Sequence, residues 1–150
     1  QVTLPQSRPL SKGEVLGCTA PTIEQNDCNA VVYVGDGRFH LEAIMIANPS
    51  LKAYRYDPYT KVLSSEAYAH GQMYTNRREA IEKARGAQRW GVILGTLGRQ
   101  GNTNIVDRLV GLIEAAGRSA MVVLLSEISP SKLALFEGVD TWVQVACPRL

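Results

Sequence analysis

Residues 89–125, RWGVILGTLGRQGNTNIVDRLVGLIEAAGRSAMVVLL, decide the fold. Gly91 to Leu94 is a short apolar run, and a loop bearing Gly95, Gly98 and Gly101 follows it. Ile105, Leu109, Leu112, Ile113 and Ala116 then recur at the offsets of one helix face. Asn102 or Thr103 can cap that helix and Gly117 can close it, before a second apolar run from Met121 to Leu125. Strand, helix and strand in this order make a parallel pair. Runs without polar alternation, VVYV at Val31 to Val34, VILG and MVVLL, suit a parallel sheet buried on both faces. The expected class is α/β, with mainly parallel sheets flanked by helices.

Working outward, the apolar run Val31 to Val34 (VVYV) is followed by a shorter helix over Leu41 to Asn48, lined by Leu41, Ile44 and Met45 and ended by Asn48-Pro49. Ala53 to Tyr56 and Trp142 to Val145 read as further strands. Ser129-Pro130 starts a short helix that carries Leu133 and Phe136 inward, with Gly138 at a left-handed closing position. NRREAIEKARGA, residues 76–87, reads as a solvent-facing helix ending near Gly86, with a weak stripe of Met73, Ala80, Ile81 and Ala84. A domain boundary is placed after it, giving units 1–88 and 89–150.

A hydrophobic content of 45% in 150 residues is enough to fill a core, which excludes a disordered tail. Sixteen basic against fourteen acidic residues leave a charge of +2, too small and scattered to argue for a nucleic-acid footprint. YRYDPYT, residues 54–60, is explained more simply by a strand ending at Asp57-Pro58 than by an aromatic platform for nucleic acid. No apolar run approaches the roughly 20 residues that cross a bilayer, and the opening QVTLPQSRPLSKGE lacks the apolar region of a signal peptide. The expected location is the cytoplasm.

Three cysteines, Cys18, Cys28 and Cys147, are an odd number that makes a disulfide framework a poor reading. Cys18 follows the short apolar EVLG and Cys147 follows TWVQVA, which places both just past a strand's carboxyl end. Ligands of open α/β sheets bind at that edge. Two glycine loops belong there too, Gly35-Asp36-Gly37 with Arg38 and His40 behind it, and Gly95 to Gly101 with Thr96 and Arg99. A strand, a glycine loop and a helix start offer N–H groups and a positive terminus to an anion, and an arginine can pair with a carboxylate. Neither spacing matches a dinucleotide fingerprint or a P-loop, so glycines placed for backbone reasons alone remain an alternative. His40 and His70 are the only histidines, too few for a histidine metal site or a triad.

VVYVGDGRFHLEAIMIANP, YRYDPYTKV, WGVILGTLGRQGN, LLSEISPSKL and WVQVACPRL, taken in order, resemble the signature segments of the first subunits of eukaryotic diphthamide synthase. The resemblance covers residues 10–150. It implies Rossmann-like units, 1–88 matching the second and 89–150 a shortened third of three similar α/β domains. Each domain gives one cysteine to a central 4Fe-4S cluster, and the first-domain cysteine has no counterpart here. On the matching motifs, GCTAP makes Cys18 a ligand and VACPRL makes Cys147 another, while Cys28 matches none.

The resemblance further implies that S-adenosylmethionine binds beside the iron that lacks a protein ligand. Reductive cleavage then yields a 3-amino-3-carboxypropyl radical, which is attached to a histidine of elongation factor two in the first step of diphthamide synthesis. Gly35, Asp36, Gly37, Arg38, His40, Gly95, Thr96, Gly98, Arg99 and Gly101 are the expected cofactor contacts, and no side chain is assigned as an acid or base. A second synthase subunit in a heterodimer and an electron-donor protein are the expected partners. With two cluster cysteines the chain alone is expected to be folded, colourless and inactive. A non-catalytic scaffold subunit and a cluster-free α/β nucleotide-binding module are the alternatives; GDGRFH and QVACPRL favour the first subunit.

Overall fold

The computed structural model describes residues 2–24, 28–98 and 100–150. They form two compact units, one up to Gln72 and one from Met73. The first holds β1 (Ala30–Val34), α1 (Phe39–Ala47), β2 (Lys52–Asp57) and β3 (Val62–Glu66). β1 and β2 are parallel, with Val31 opposite Ala53, and β3 returns antiparallel to β2. Leu41, Met45 and Ala53 form the core, with Val31, Tyr33 and Tyr68 packed around them. The α1 stripe is therefore as expected. β3 is an addition to the expected strands: Asp57 Oδ1 accepts the N–H groups of Tyr59 and Thr60 and turns the chain straight into it.

The second unit begins within α2 (His70–Ala84) and continues with β4 (Arg89–Gly95), α3 (Thr103–Ala115), β5 (Ser119–Leu125), α4 (Pro130–Leu133) and β6 (Thr141–Val145). Its three strands are all parallel, in the order β5-β4-β6. The unit boundary falls earlier than the expected 88/89 position. α2 buries none of its residues, so apolar contact does not tie it to the first sheet.

Two burial expectations need correction. α3 is capped by Asn102, whose side chain accepts from Ile105 N–H, and Gly117 closes it at φ +72°, both as expected. Its buried stripe, however, is Val106, Leu109, Val110 and Ile113, packed on Val92 and Val145. Ile105 and Leu112 lie one position round the helix and are exposed. The apolar strands are also not buried on both faces: Val32 and Val34 are 59% and 64% exposed, because α1 covers only the opposite face of their sheet.

Asp140 ties the start of β4 to the start of β6. Its carboxylate accepts the N–H groups of Gln88 and Arg89 and the Arg89 guanidinium at 2.8 Å, while its own N–H donates to Arg89 O. The Arg89 side-chain hydrogen bond, then the two backbone donors, hold this carboxyl far below the ordinary carboxylate range. A depressed folded pKa means that the unfolded chain takes up the proton first. The contribution is therefore complete above the unfolded value, about pH 4, and is lost as the pH falls below it. The urea midpoint of Asp140→Asn is expected to lie below wild type at pH 7, with the gap narrowing as pH drops below about 4. A gap independent of pH would show that the carboxylate is not the source.

Candidate functional site

In the first unit the loop after β1 is shaped by its neighbours. Tyr33 folds its ring back over Gly35, where a Cβ would stand 2.6 Å from the ring, so only glycine fits. Burial and the nearby Asp36 carboxylate push the Tyr33 phenol pKa up. Arg55 Nη1 donates to Asp36 O at 2.7 Å. Arg38 stands at the start of α1, 3.1 Å from Glu66 and 3.6 Å from Glu42, and also donates to Ala67 O. Glu66 is held below the usual carboxylate range first by the Ser64 hydroxyl and then by Arg38 and Arg55. A ligand carboxylate at Arg38 would thus compete with two acidic side chains already in place.

Other expected donors are also engaged. Gly35 N–H is spent on Tyr56 O and Thr96 N–H on Leu125 O. His40, in the first turn of α1 and edge-on to Phe39, differs: its Nδ1 is buried without a hydrogen-bond partner among the described residues. Such an orphan costs about 1–3 kcal/mol, which a bound donor would offset. His70 has a structural contact, its Nε2 lying 2.8 Å from Met45 O at the end of α1.

Cys18 does not follow a strand. Glu14 to Leu16 are irregular, and the cysteine sits half-buried in a 3-10 turn, Gly17–Thr19. The short EVLG run was the misleading signal. Thr19 closes the turn, its N–H donating to Leu16 O and its hydroxyl accepting from Leu16 N–H at 3.1 Å. The turn packs against α1 and borders a cavity of about 280 Å³ lined by Thr19, Ala20 and Pro21.

In the second unit the expected arrangement at the strand ends is present. Cys147 lies just past β6 and is 2% exposed. Beside it runs the loop from β4 to α3. A Cβ on Gly95 would meet Ala146 Cβ at 3.0 Å and Gln100 Oε1 at 2.9 Å, and one on Gly101 would meet Gly95 O at 2.6 Å. Gly98 takes φ +65°. A bulkier residue at 95 would therefore press on Ala146, next to Cys147, and one at 101 on the end of β4. Arg77 Nη2 donates to Pro148 O, Leu150 N–H to Cys147 O, and Gln144 Nε2 to Leu150 O, which closes the terminal turn. Arg99 lies outside the described residues.

All three cysteines are free thiols, with Cys28 half-buried. Among the described residues no group of three histidine, cysteine or acidic side chains gathers to hold a metal ion. The first unit carries Cys18 and Cys28 and the second Cys147, all outside the strands. Thiolate is the ligand type that iron-sulfur clusters take, so the donor chemistry fits such a group, with further ligands required.

The diphthamide synthesis protein family model matches residues 1–150. The chain is 59% identical over 150 residues to 2-(3-amino-3-carboxypropyl)histidine synthase subunit 1 from Bos taurus and from Homo sapiens, covering 100% of this chain and 34% of each relative. The Schizosaccharomyces pombe subunit 1 is 54% identical over 149 residues, 99% of this chain and 34% of its own length. The chain thus spans about a third of these relatives. Among solved structures, Dph2 from Pyrococcus horikoshii superposes with a TM-score of 0.73 at 29% identity, covering 98% of this chain and 42% of that one. Dph2 has also been solved with a 4Fe-4S cluster, with the same score and coverage.

Proposed function

The chain belongs to the diphthamide synthesis protein family, and from that premise we propose that it supplies two cluster ligands, Cys18 and Cys147, to a 3-amino-3-carboxypropyl transferase acting on a histidine of elongation factor two. The observation that carries the proposal is the 2% exposed Cys147 at a glycine-lined strand edge. When bound, a 4Fe-4S cluster would supply the electron that cleaves S-adenosylmethionine between sulfur and the γ-carbon, delivering the aminocarboxypropyl group as a radical. The protein's part is to hold thiolates, orient the cofactor's amino-acid end and exclude water.

For that orientation we assign the loops 35–38 and 95–101. Their helix starts favour a carboxylate, and His40, whose Nδ1 has no hydrogen-bond partner among the described residues, stands in the first turn behind loop 35–38. Arg38, braced by Glu42 and Glu66, fixes the first loop. A second synthase subunit and an electron donor complete the assembly in the cytoplasm. No described helix is long and apolar enough to cross a membrane.

The test is an anaerobic assay of the full-length complex with elongation factor two, a reductant, and S-adenosylmethionine labelled in its aminocarboxypropyl group. Label is expected on a histidine of the factor; absence of label from the factor contradicts the proposal. In the same assay Arg38→Ala, which releases the loop from Glu42 and Glu66, is expected to weaken S-adenosylmethionine binding about 10-fold with iron content unchanged, the order of one lost charge-assisted hydrogen bond within the loop. Unaltered affinity would remove this loop from the cofactor site.

A further inference from the structure

Cys18 lies in a stretch, residues 2–24, whose only regular element is a single 3-10 turn, so no strand ladder sets its place. What holds this stretch is a side chain outside it. Asn48, 5% exposed, is the only buried polar side chain among the described residues. Its Nδ2 donates to Pro21 O and to Ile44 O, each at 2.8 Å, and its Oδ1 accepts Ile23 N–H at 2.7 Å. Both amide protons and the carbonyl oxygen are thereby used. The Asn48 backbone N–H also donates to Ile44 O and Met45 O, so one residue ends α1 and fastens to it the segment just after Cys18.

We propose that Asn48 is a positioning residue for Cys18, clasping the segment at Pro21 and Ile23 to the end of α1 so that the thiol three residues upstream is presented in one place. The inference rests on the reading of Cys18 as a cluster ligand. No other residue type of this size reproduces the clasp. An aspartate would set carboxylate oxygens against the Pro21 and Ile44 carbonyls, and a leucine would leave Ile23 N–H without an acceptor. Groups that orient a metal ligand without touching the metal govern how well the site loads, and Asn48 stands in that relation to Cys18.

The experiment uses the full-length subunit with its partner, in four variants: Asn48→Asp, Ile23→Pro, Ile23→Ala and Cys18→Ser. Ile23→Pro removes the N–H that Asn48 accepts, together with the side chain and some backbone freedom at 22 and 23, and does not alter the residues that end α1; Ile23→Ala keeps that N–H and controls for the side chain. Two quantities are read: iron affinity on anaerobic reconstitution, and the iodoacetamide alkylation rate of Cys18 in iron-free protein, measured by mass spectrometry with Cys147 as internal reference. Asn48→Asp and Ile23→Pro are expected to alkylate Cys18 several-fold faster relative to Cys147 and to bind iron about 10–100-fold more weakly, the range typical of groups behind a metal ligand. Ile23→Ala is expected to match wild type in both.

A folded Ile23→Pro protein with the wild-type Cys18 rate and iron affinity would overturn the proposal. So would loss of the fold in both clasp variants while Ile23→Ala folds, since the clasp would then serve the fold and not the thiol. If Cys18→Ser keeps its iron, the ligand reading itself has failed. If Cys18→Ser loses iron while Ile23→Pro behaves as wild type, only the positioning has failed.

Discussion

Replacing Cys18 or Cys147 by alanine in the full-length subunit is expected to lower bound iron and aminocarboxypropyl transfer by more than about 100-fold, beyond the 10–100-fold that groups behind a ligand command. The reason is chemical, because only a thiolate at these positions can meet iron, and alanine removes the donor outright. Stability should change far less. Cys18 is only half-buried, and although Cys147 is 2% exposed, cysteine to alanine deletes a single sulfur. Cys28→Ser, half-buried and ahead of β1, serves as the control and is expected to keep both iron and transfer. Iron retained by either alanine variant would mean that the ligand was wrongly assigned.

The largest expected effect on folding lies at Gly91. It faces Trp142 across the β4–β6 ladder, and the indole lies over it: a Cβ there would stand 2.2 Å from the ring. The ring cannot step aside freely, because Phe136 packs edge-on against it at 5.3 Å. Gly91→Val must therefore expel Trp142 or part the two strands. Overpacking of a core typically costs about 1–3 kcal/mol, and losing a buried aromatic about 3–5. Against a total stability of about 5–15 kcal/mol, that is a large share of what holds the second unit folded, and its urea midpoint should fall markedly. Urea unfolding followed by tryptophan fluorescence reads it. Adding Trp142→Ala should then cost less than it does alone, since the clash and the packing are one interaction; strictly additive losses would contradict the contact.

The parts of the fold that could be read in advance are those with strong local signals. β4, α3 and β5 combine apolar runs with an asparagine cap and a closing glycine, and all three stand where the pattern puts them. β3 was missed because VLSSE carries little apolar weight; the Asp57 turn before it was the available signal. The buried face of α3 was read one position off, since Ile105 and Leu112 satisfy helical spacing as well as Val106 and Val110 do. Only the position of the sheet decides between the two stripes.

The candidate site divides in the same way. Cys147 ends a true strand, so its place at the sheet edge was legible, as was the glycine loop beside it. Cys18 was misplaced because three apolar letters suggested a strand where the chain makes a turn. The Arg38–Glu42 pair has the i,i+4 helix spacing and was open to a sequence reading, whereas the engagement of Arg38 by Glu66 on β3 depends on a contact distant in sequence, which no local pattern reveals. Asn48 was read only as a helix terminator ahead of Pro49. Its second task, holding Pro21 and Ile23, follows from a fold that brings residues 25 and more positions apart together.

Whether Cys18 and Cys147 ligate one iron-sulfur cluster can be seen in an anaerobic crystal structure of the full-length subunit prepared with iron and sulfide. Density is expected for one four-iron cubane, with Cys18 Sγ and Cys147 Sγ each bonded to a different iron and Cys28 bonded to none. A cubane that reaches neither thiol, or a well-ordered protein in which both remain free beside a cluster held elsewhere, would contradict it.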